Sequence, residues 1–283
     1  HPHVEVVSRR TEGDIHRTTY GEVAKRTKKL ANTLTSLGVQ QGENIATLAW
    51  NGYRHVEIYY AVSGMGAVVH TLNPRLFPEQ LVYIINHAKD TMVFFDSTFA
   101  PLIKAIAPAC PTVKRWVQMC DEAAMPAEQA VAGCLNYEAL IKDASDHYVW
   151  PQLDENAASG LCYTSGTTGN PKGALYSHRS TVLHAMAACT PDALGLSSRD
   201  TILPVVPMFH VNAWGIPYIA LMTGAKMVMP GGALDGASIY ELLESEKVNF
   251  SAGVPTVWLG LLNHVQQNGL KFTYFNRTVI GGS

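Results

Sequence analysis

Residues 163–173 read Tyr-Thr-Ser-Gly-Thr-Thr-Gly-Asn-Pro-Lys-Gly, which puts three glycines, five hydroxyl side chains and one lysine into eleven positions. Glycine lets a backbone turn through positive φ and come close to a ligand. Exposed N–H groups, the hydroxyls of Thr164, Ser165, Thr167 and Thr168, and the ammonium of Lys172 would make a concave anion site suited to the phosphates of a nucleotide. A Gly/Ser/Thr cluster is ordinarily a polar surface loop. Here the hydroxyl density and the Pro-Lys-Gly end tip the reading towards phosphate. The general P-loop pattern is nevertheless not met. Gly166 and Lys172 have its spacing, but Pro171 replaces the second glycine and has no N–H to offer, and Gly173 stands where a magnesium-holding Ser or Thr belongs. Apolar runs at 161–163 and 174–176 predict that the loop leads into a short strand and not directly into a helix.

A second segment, Pro207-Met208-Phe209-His210-Val211-Asn212-Ala213-Trp214-Gly215, concentrates aromatic and polar groups. His210 and Trp214 are four apart, so a helical turn would set them on one face. A lone histidine is more often a hydrogen-bonded structural residue, and a lone tryptophan a core aromatic. The whole string favours a site.

Residues 164–173 resemble the signature loop of the adenylate-forming superfamily: acyl-CoA synthetases, luciferases and the adenylation domains of peptide synthetases. Residues 207–215 resemble the aromatic gate segment of bacterial fatty acyl-CoA synthetases, and Val279-Ile280-Gly281-Gly282-Ser283 resembles the start of the adenine-contacting segment. The likeness in motif and element order runs through essentially the whole chain. It implies ATP-dependent activation of a medium- or long-chain fatty acid to acyl-AMP and then acyl-CoA, with ATP, Mg2+ and CoA as cofactor and co-substrates. It further implies catalytic roles for Lys172 and His210. Nucleotide- or acyl-binding roles fall on Thr164, Ser165, Gly166, Thr167, Thr168, Gly169, Lys172, Val211, Trp214 and Gly282, with Thr164 also holding the magnesium. Trp214 would gate the acyl tunnel, Val211 would line the acyl–adenylate junction, and Gly282 would let the backbone approach adenine or the acyl carbonyl closely. Phe209, Trp214, Ile216, Tyr218, Val254 and Trp258 could wall that tunnel, or equally be core.

The same resemblance implies an aromatic-Gly-x-Thr-Glu string, a ribose-holding aspartate, a hinge and a small C-terminal domain beyond Ser283. The expectation is therefore a truncated large domain, inactive or slow alone. Homodimerisation is suggested only by the resemblance. An aryl- or short substituted-acid ligase and a non-catalytic nucleotide-binding domain stay open as alternatives. A P-loop kinase or ATPase is disfavoured by Pro171 and Gly173.

Composition sets the outer bounds. The 283 residues are 47% hydrophobic and 16% charged, with a net charge of −2 and a mean hydropathy of +0.03. That is ordinary globular composition for one large or two medium domains, and its near-neutral balance argues against a nucleic-acid partner. Five scattered cysteines without a C-x-x-C suggest neither a disulfide framework nor a zinc knuckle, and fit a reducing cytoplasm. No stretch reaches the roughly 18 apolar residues of a membrane span.

The elements that must position these residues alternate. Thr19 and Glu22 form a capping box for a helix carrying Val23, Thr27, Leu30, Leu34 and Leu37 and stopped by Gly38. Strands are predicted at 45–50, 67–72, 91–96 and 115–119, separated by helices at 55–65, 78–87 and 102–107. Beyond the loop come a helix marked by Val182, Ala185, Met186 and Cys189, and strands at 201–206, 225–229, 250–254 and 278–280, with helices at 238–246 and 256–267. Repeated strand–helix units predict two stacked α/β subdomains with mostly parallel sheets, divided as 1–154 and 155–283.

Overall fold

The computed structural model describes residues 1–164 and 170–282. In chain order the elements are β1 (Glu5–Arg9), β2 (Ile15–Thr19), α1 (Tyr20–Ser36), β3 (Asn44–Leu48), α2 (Tyr53–Gly64), β4 (Val68–Thr71), α3 (Pro78–Ala88) and β5 (Met92–Asp96). They continue through α4 (Ala100–Ile106), β6 (Arg115–Met119), β7 (Leu135–Asn136), α5 (Tyr137–Ile141), β8 (Ala158–Thr164), β9 (Lys172–Ser177) and α6 (His178–Ala188). The remainder are β10 (Thr201–Pro204), α7 (Ile216–Thr223), β11 (Lys226–Met229), α8 (Gly236–Ser245), β12 (Phe250–Gly253), α9 (Pro255–Gln267) and β13 (Arg277–Ile280).

These elements build two sheets. The seven-stranded one has the order β7-β6-β5-β3-β4-β8-β9 and is parallel except for the β8–β9 hairpin at its edge. The six-stranded one has the order β13-β12-β10-β11-β1-β2 and is parallel except for the β1–β2 hairpin. The compact units are therefore not the consecutive halves 1–154 and 155–283. One comprises His1–Glu22, Asn51–Tyr53 and Val182–Ser283; the other comprises Val23–Trp50 and Arg54–Thr181. Pairing explains the difference: β8 joins β4 through Val69↔Gly160, while β1 lies against β11 through Val6↔Met227. Hydrophobic runs along the chain mark strands but do not say which strands will be neighbours.

In the seven-stranded unit, α3 and α4 bury Ile84, Ile85 and Ile103 with Phe95, Trp116 and Leu161 from the strands. In the six-stranded unit, α8 and α9 bury Leu242, Leu243 and Trp258 with Val7, Leu203 and Val228. Trp258, read as tunnel wall or core, is core.

Several helix starts follow the predicted chemistry. The Glu22 N–H donates to Thr19 Oγ at 3.3 Å, and Gly38 ends the α1 region at φ 82°. At α6, Ser177 Oγ accepts from the Ser180 N–H and Ser180 Oγ accepts from the Ser177 N–H, both at 3.0 Å. The packing face of α6 differs from expectation. Ala185 and Ala188 are buried, but Val182 and Met186 are exposed. Period alone marked a helix here without fixing its inward face.

An ion-pair network joins α1, α2 and α5. Arg26 Nε lies 2.7 Å from Glu57 Oε1, and Arg26 Nη2 lies 3.0 Å from Glu138 Oε1. Arg54 Nε lies 2.7 Å from Glu138 as well, and the Tyr137 hydroxyl donates to Glu57 at 2.7 Å. Glu57 is fully buried, and burial pushes its carboxyl above the usual range against the pull of Arg26. At Glu138 burial also works upward, but Arg26 and Arg54 together hold its carboxyl low.

Candidate active site

The phosphate-loop hairpin belongs to the seven-stranded unit. β8 runs parallel to β4 and ends at Thr164, so the loop leaves the carboxyl end of a parallel strand, the usual ligand edge of an open α/β sheet. The antiparallel register then sets Tyr163 opposite Gly173 and Thr164 opposite Lys172. Lys172 is thus the first residue of β9, as the apolar run after the loop predicted, and no helix follows directly. Thr164 and Lys172 are both exposed, and the Thr164 hydroxyl lies 3.5 Å from the Lys172 carbonyl oxygen. The hairpin base therefore presents one hydroxyl and one ammonium side by side. Ser165, Gly166, Thr167, Thr168 and Gly169 lie outside the described residues.

A buried side-chain contact props this hairpin. Tyr163 is buried, and its hydroxyl is 2.6 Å from His87 Nδ1 on α3. Its ring lies against Gly173: a Cβ there would come within 3.2 Å of Tyr163 and 3.0 Å of Leu161, so only glycine lets β9 approach this closely. Beneath it, Asp90 accepts from His70 Nδ1 at 2.8 Å, both side chains being wholly buried. Burial pushes the Asp90 carboxyl up while His70 opposes the shift. The signal was present in sequence as His87 and Tyr163, but the pair is separated by three strands and cannot be found from spacing. Tyr163→Phe is expected to lose about 1 kcal/mol of stability, the net worth of one such hydrogen bond, read from the midpoint of urea unfolding.

The gate segment belongs to the six-stranded unit. Beyond β10, Asn51 is buried and fully engaged: its Nδ2 donates to the carbonyls of Pro204 and Val206, and its Oδ1 accepts from the Met208 N–H at 2.7 Å. The segment then turns left-handed. Val211, Asn212, Ala213 and Trp214 have φ of 48°, 47°, 51° and 55°, and Gly215 follows at 76° before α7 begins. A right-handed helical turn between His210 and Trp214 was expected; the turn has the opposite hand, so the one-face placement does not follow. Each non-glycine residue in this basin costs roughly 1–2 kcal/mol, and a β-branched residue such as Val211 is a pronounced outlier. Strain of this kind is retained where surrounding contacts over-determine it, and it concentrates at functional sites.

Those contacts are visible. The Trp214 carbonyl accepts from His184 Nε2 at 3.1 Å, and the Trp214 ring packs on Gly281, where a Cβ would lie 3.2 Å from the indole. Gly282 has φ 75°, a conformation suited to glycine. Trp214, Gly281 and Gly282 are thus neighbours. His210 and Val211 are exposed beside them, while Phe209 and Ile216 are buried. Val211→Gly, which releases a strained residue of which 40% is exposed, is expected to raise stability by about 0.5–1 kcal/mol after the entropy that glycine adds to the unfolded chain. Thermal unfolding followed by circular dichroism checks it.

Among the described residues no group of three or more His, Cys, Asp or Glu could hold a metal ion. The exposed Thr164 hydroxyl fits magnesium in the one manner open to it: as a single oxygen ligand to an ion carried largely by substrate phosphates and water. Among the described residues, too, no helix is long and apolar enough to cross a membrane.

The profile of the family described as "AMP-binding enzyme" matches residues 1–283. The chain is 56% identical over 279 residues to a medium-chain-fatty-acid–CoA ligase of Ectopseudomonas oleovorans, covering 99% of this chain and 51% of that protein. It is 52% identical over 283 residues to a 3-methylmercaptopropionyl-CoA ligase of Ruegeria lacuscaerulensis, covering 100% of this chain and 52% of that protein. The chain therefore spans about half the length of the curated relatives it matches. The fold is shared with the crystal structure of an anthranilate CoA ligase in complex with anthranoyl-AMP, with a TM-score of 0.86 at 21% identity, over 99% of this chain and 52% of that one. With its whole length matched by the family profile, the chain belongs to the AMP-binding enzyme family.

Proposed function

We propose that this chain forms the nucleotide- and acid-activating part of an AMP-forming fatty acyl-CoA synthetase. A carboxylate oxygen of the acid attacks the α-phosphorus of ATP, the bond to the bridging oxygen breaks, and pyrophosphate leaves. The thiolate of CoA then attacks the acyl carbonyl of acyl-AMP, and AMP leaves. Transfer at phosphorus is mostly positioning and charge stabilisation. Lys172 supplies a cation for the phosphates that depart, and Thr164 supplies a hydroxyl to them and would be one oxygen ligand of a magnesium ion, which would supply further neutralisation of phosphate charge. Within the six-stranded unit, Trp214 and Gly282 serve the acyl and adenylate groups, with His210 and Val211 close to Trp214 in sequence.

The observation that carries this reading is the hairpin base: Thr164 and Lys172 opposed at the carboxyl end of a parallel strand, in a chain of the AMP-binding family. The medium-chain-fatty-acid relative supports a fatty acid as substrate. The 3-methylmercaptopropionyl-CoA ligase, nearly as similar, favours a short substituted acid as the second reading. Isotope exchange between pyrophosphate and ATP discriminates them. It is measured in a protein carrying this chain together with the second half found in its relatives, across straight-chain acids of increasing length and short sulfur-bearing acids. Exchange peaking at a medium or long chain supports the first reading, and a peak at the short sulfur-bearing acids the second. Accumulation of ADP without exchange would sink both.

A further inference from the structure

The left-handed turn Val211–Gly215 is held from both sides within its own unit. Upstream, Asn51 grips two carbonyls and one N–H between Pro204 and Met208, so the chain enters the turn from a fixed point. Downstream, His184 on α6 reaches the carbonyl of Trp214 itself. The fit there is close: a Cβ at residue 215 would lie 2.7 Å from His184 Cδ2 and 2.8 Å from its Nε2, so Gly215 is needed for room as well as for its φ of 76°. The indole that this backbone carries rests on Gly281, immediately before Gly282.

We infer that His184 is a positioning residue of this site: its hydrogen bond to the Trp214 carbonyl helps to keep the strained turn in its left-handed form and so keeps the indole seated on Gly281. A strained backbone segment relaxes when its holding contacts are withdrawn. Asn51 is buried and makes three bonds, whereas His184 is exposed and lies beside the turn, so His184 is the hold that can be withdrawn without unpacking the sheet. Losing it frees the peptide at 214–215 to rotate and carries the indole away from Gly281. The bearing of this pin on catalysis rests on reading residues 207–215 as the acyl gate; the pin itself does not.

The test uses the chain labelled with 5-fluorotryptophan and observed by fluorine NMR. Its five tryptophans give separate lines, and Trp214→Phe assigns the relevant one. His184→Ala is expected to move or split the Trp214 line and leave the other four in place. His184→Gln, which keeps a side-chain N–H donor, is expected to return it towards the wild-type position. Gly281→Ala is expected to displace the same line from the other side. A Trp214 line in His184→Ala that coincides with wild type overturns the pin, as does a change in all five lines together, which would mean that the fold and not the turn depends on His184. Titration of the wild type with magnesium-ATP separates the two readings: a Trp214 line that shifts supports gating. An unmoved line, with nucleotide binding confirmed by calorimetry, removes the gate while the result with His184→Ala still decides the pin.

Discussion

Lys172→Ala is expected to lower acid-dependent pyrophosphate exchange by about 10²–10³-fold, the usual cost of removing one preorganised stabiliser of transition-state charge. The size of the effect comes from where the side chain starts. Lys172 is the first residue of β9, so its side chain starts from a backbone position paired with Thr164. Preorganisation of this kind needs no rearrangement as charge develops. Lys172→Arg keeps the charge but replaces a compact ammonium with a planar fork, and is expected to retain only part of the rate. Exchange unchanged in Lys172→Ala would show that the departing phosphates are held elsewhere, and the reading of this hairpin as a phosphate site would fail.

The second large effect concerns stability. Arg26→Met is expected to cost about 3–5 kcal/mol at neutral pH, because it strips Glu57 of its counter-charge, leaving the Tyr137 hydroxyl as its neutral donor and the carboxylate wholly buried. Urea unfolding at constant slope measures it. Pairing it with Glu57→Gln should recover much of the loss, since the amide needs no counter-charge. The pH dependence carries a definite sign. Without Arg26 the folded-state pKa of Glu57 rises further above the unfolded value of 4.5, so the group takes up a proton on folding. The deficit should therefore be greatest near neutrality and shrink as pH falls towards 4.5. A loss below about 1 kcal/mol would place this pair among those whose Coulomb gain merely balances desolvation.

Much of the architecture could be read from the chain. The alternation of apolar runs with capped helices located β5, β6, α3 and α9 to within a residue or two, because burial on both faces of a parallel strand leaves an unbroken apolar signature. What could not be read was partnership. The β1–β2 hairpin begins with Glu5 and carries Arg9, His16 and Arg17 among its apolar residues, so it gives no strong strand signal. The hydroxyl-rich loop stands out in the sequence because its residues occupy consecutive positions, and the phosphate role proposed for it rests on that pattern. Its props, His87 and Tyr163, and the holds on the gate, Asn51 and His184, are distributed over the chain and meet only through tertiary structure. The left-handed turn was hidden for a different reason. Of Val, Asn, Ala and Trp only Asn leans towards that basin, so the cause of a four-residue run lies in the contacts around it.

The pairing of β1 with β11 has a consequence for how this chain is made. A ribosome adds roughly 5–20 residues per second, so the first hairpin waits for tens of seconds before residues 226–229 exist to receive it. During that interval Val6 and Val7, wholly buried in the finished sheet, have no sheet to enter. The seven-stranded unit, by contrast, has all its strands once β9 has emerged. The order of synthesis thus favours the seven-stranded sheet forming first, while the six-stranded sheet must wait for its central strands, with the β1–β2 ribbon exposed to chaperones and to other nascent chains until then.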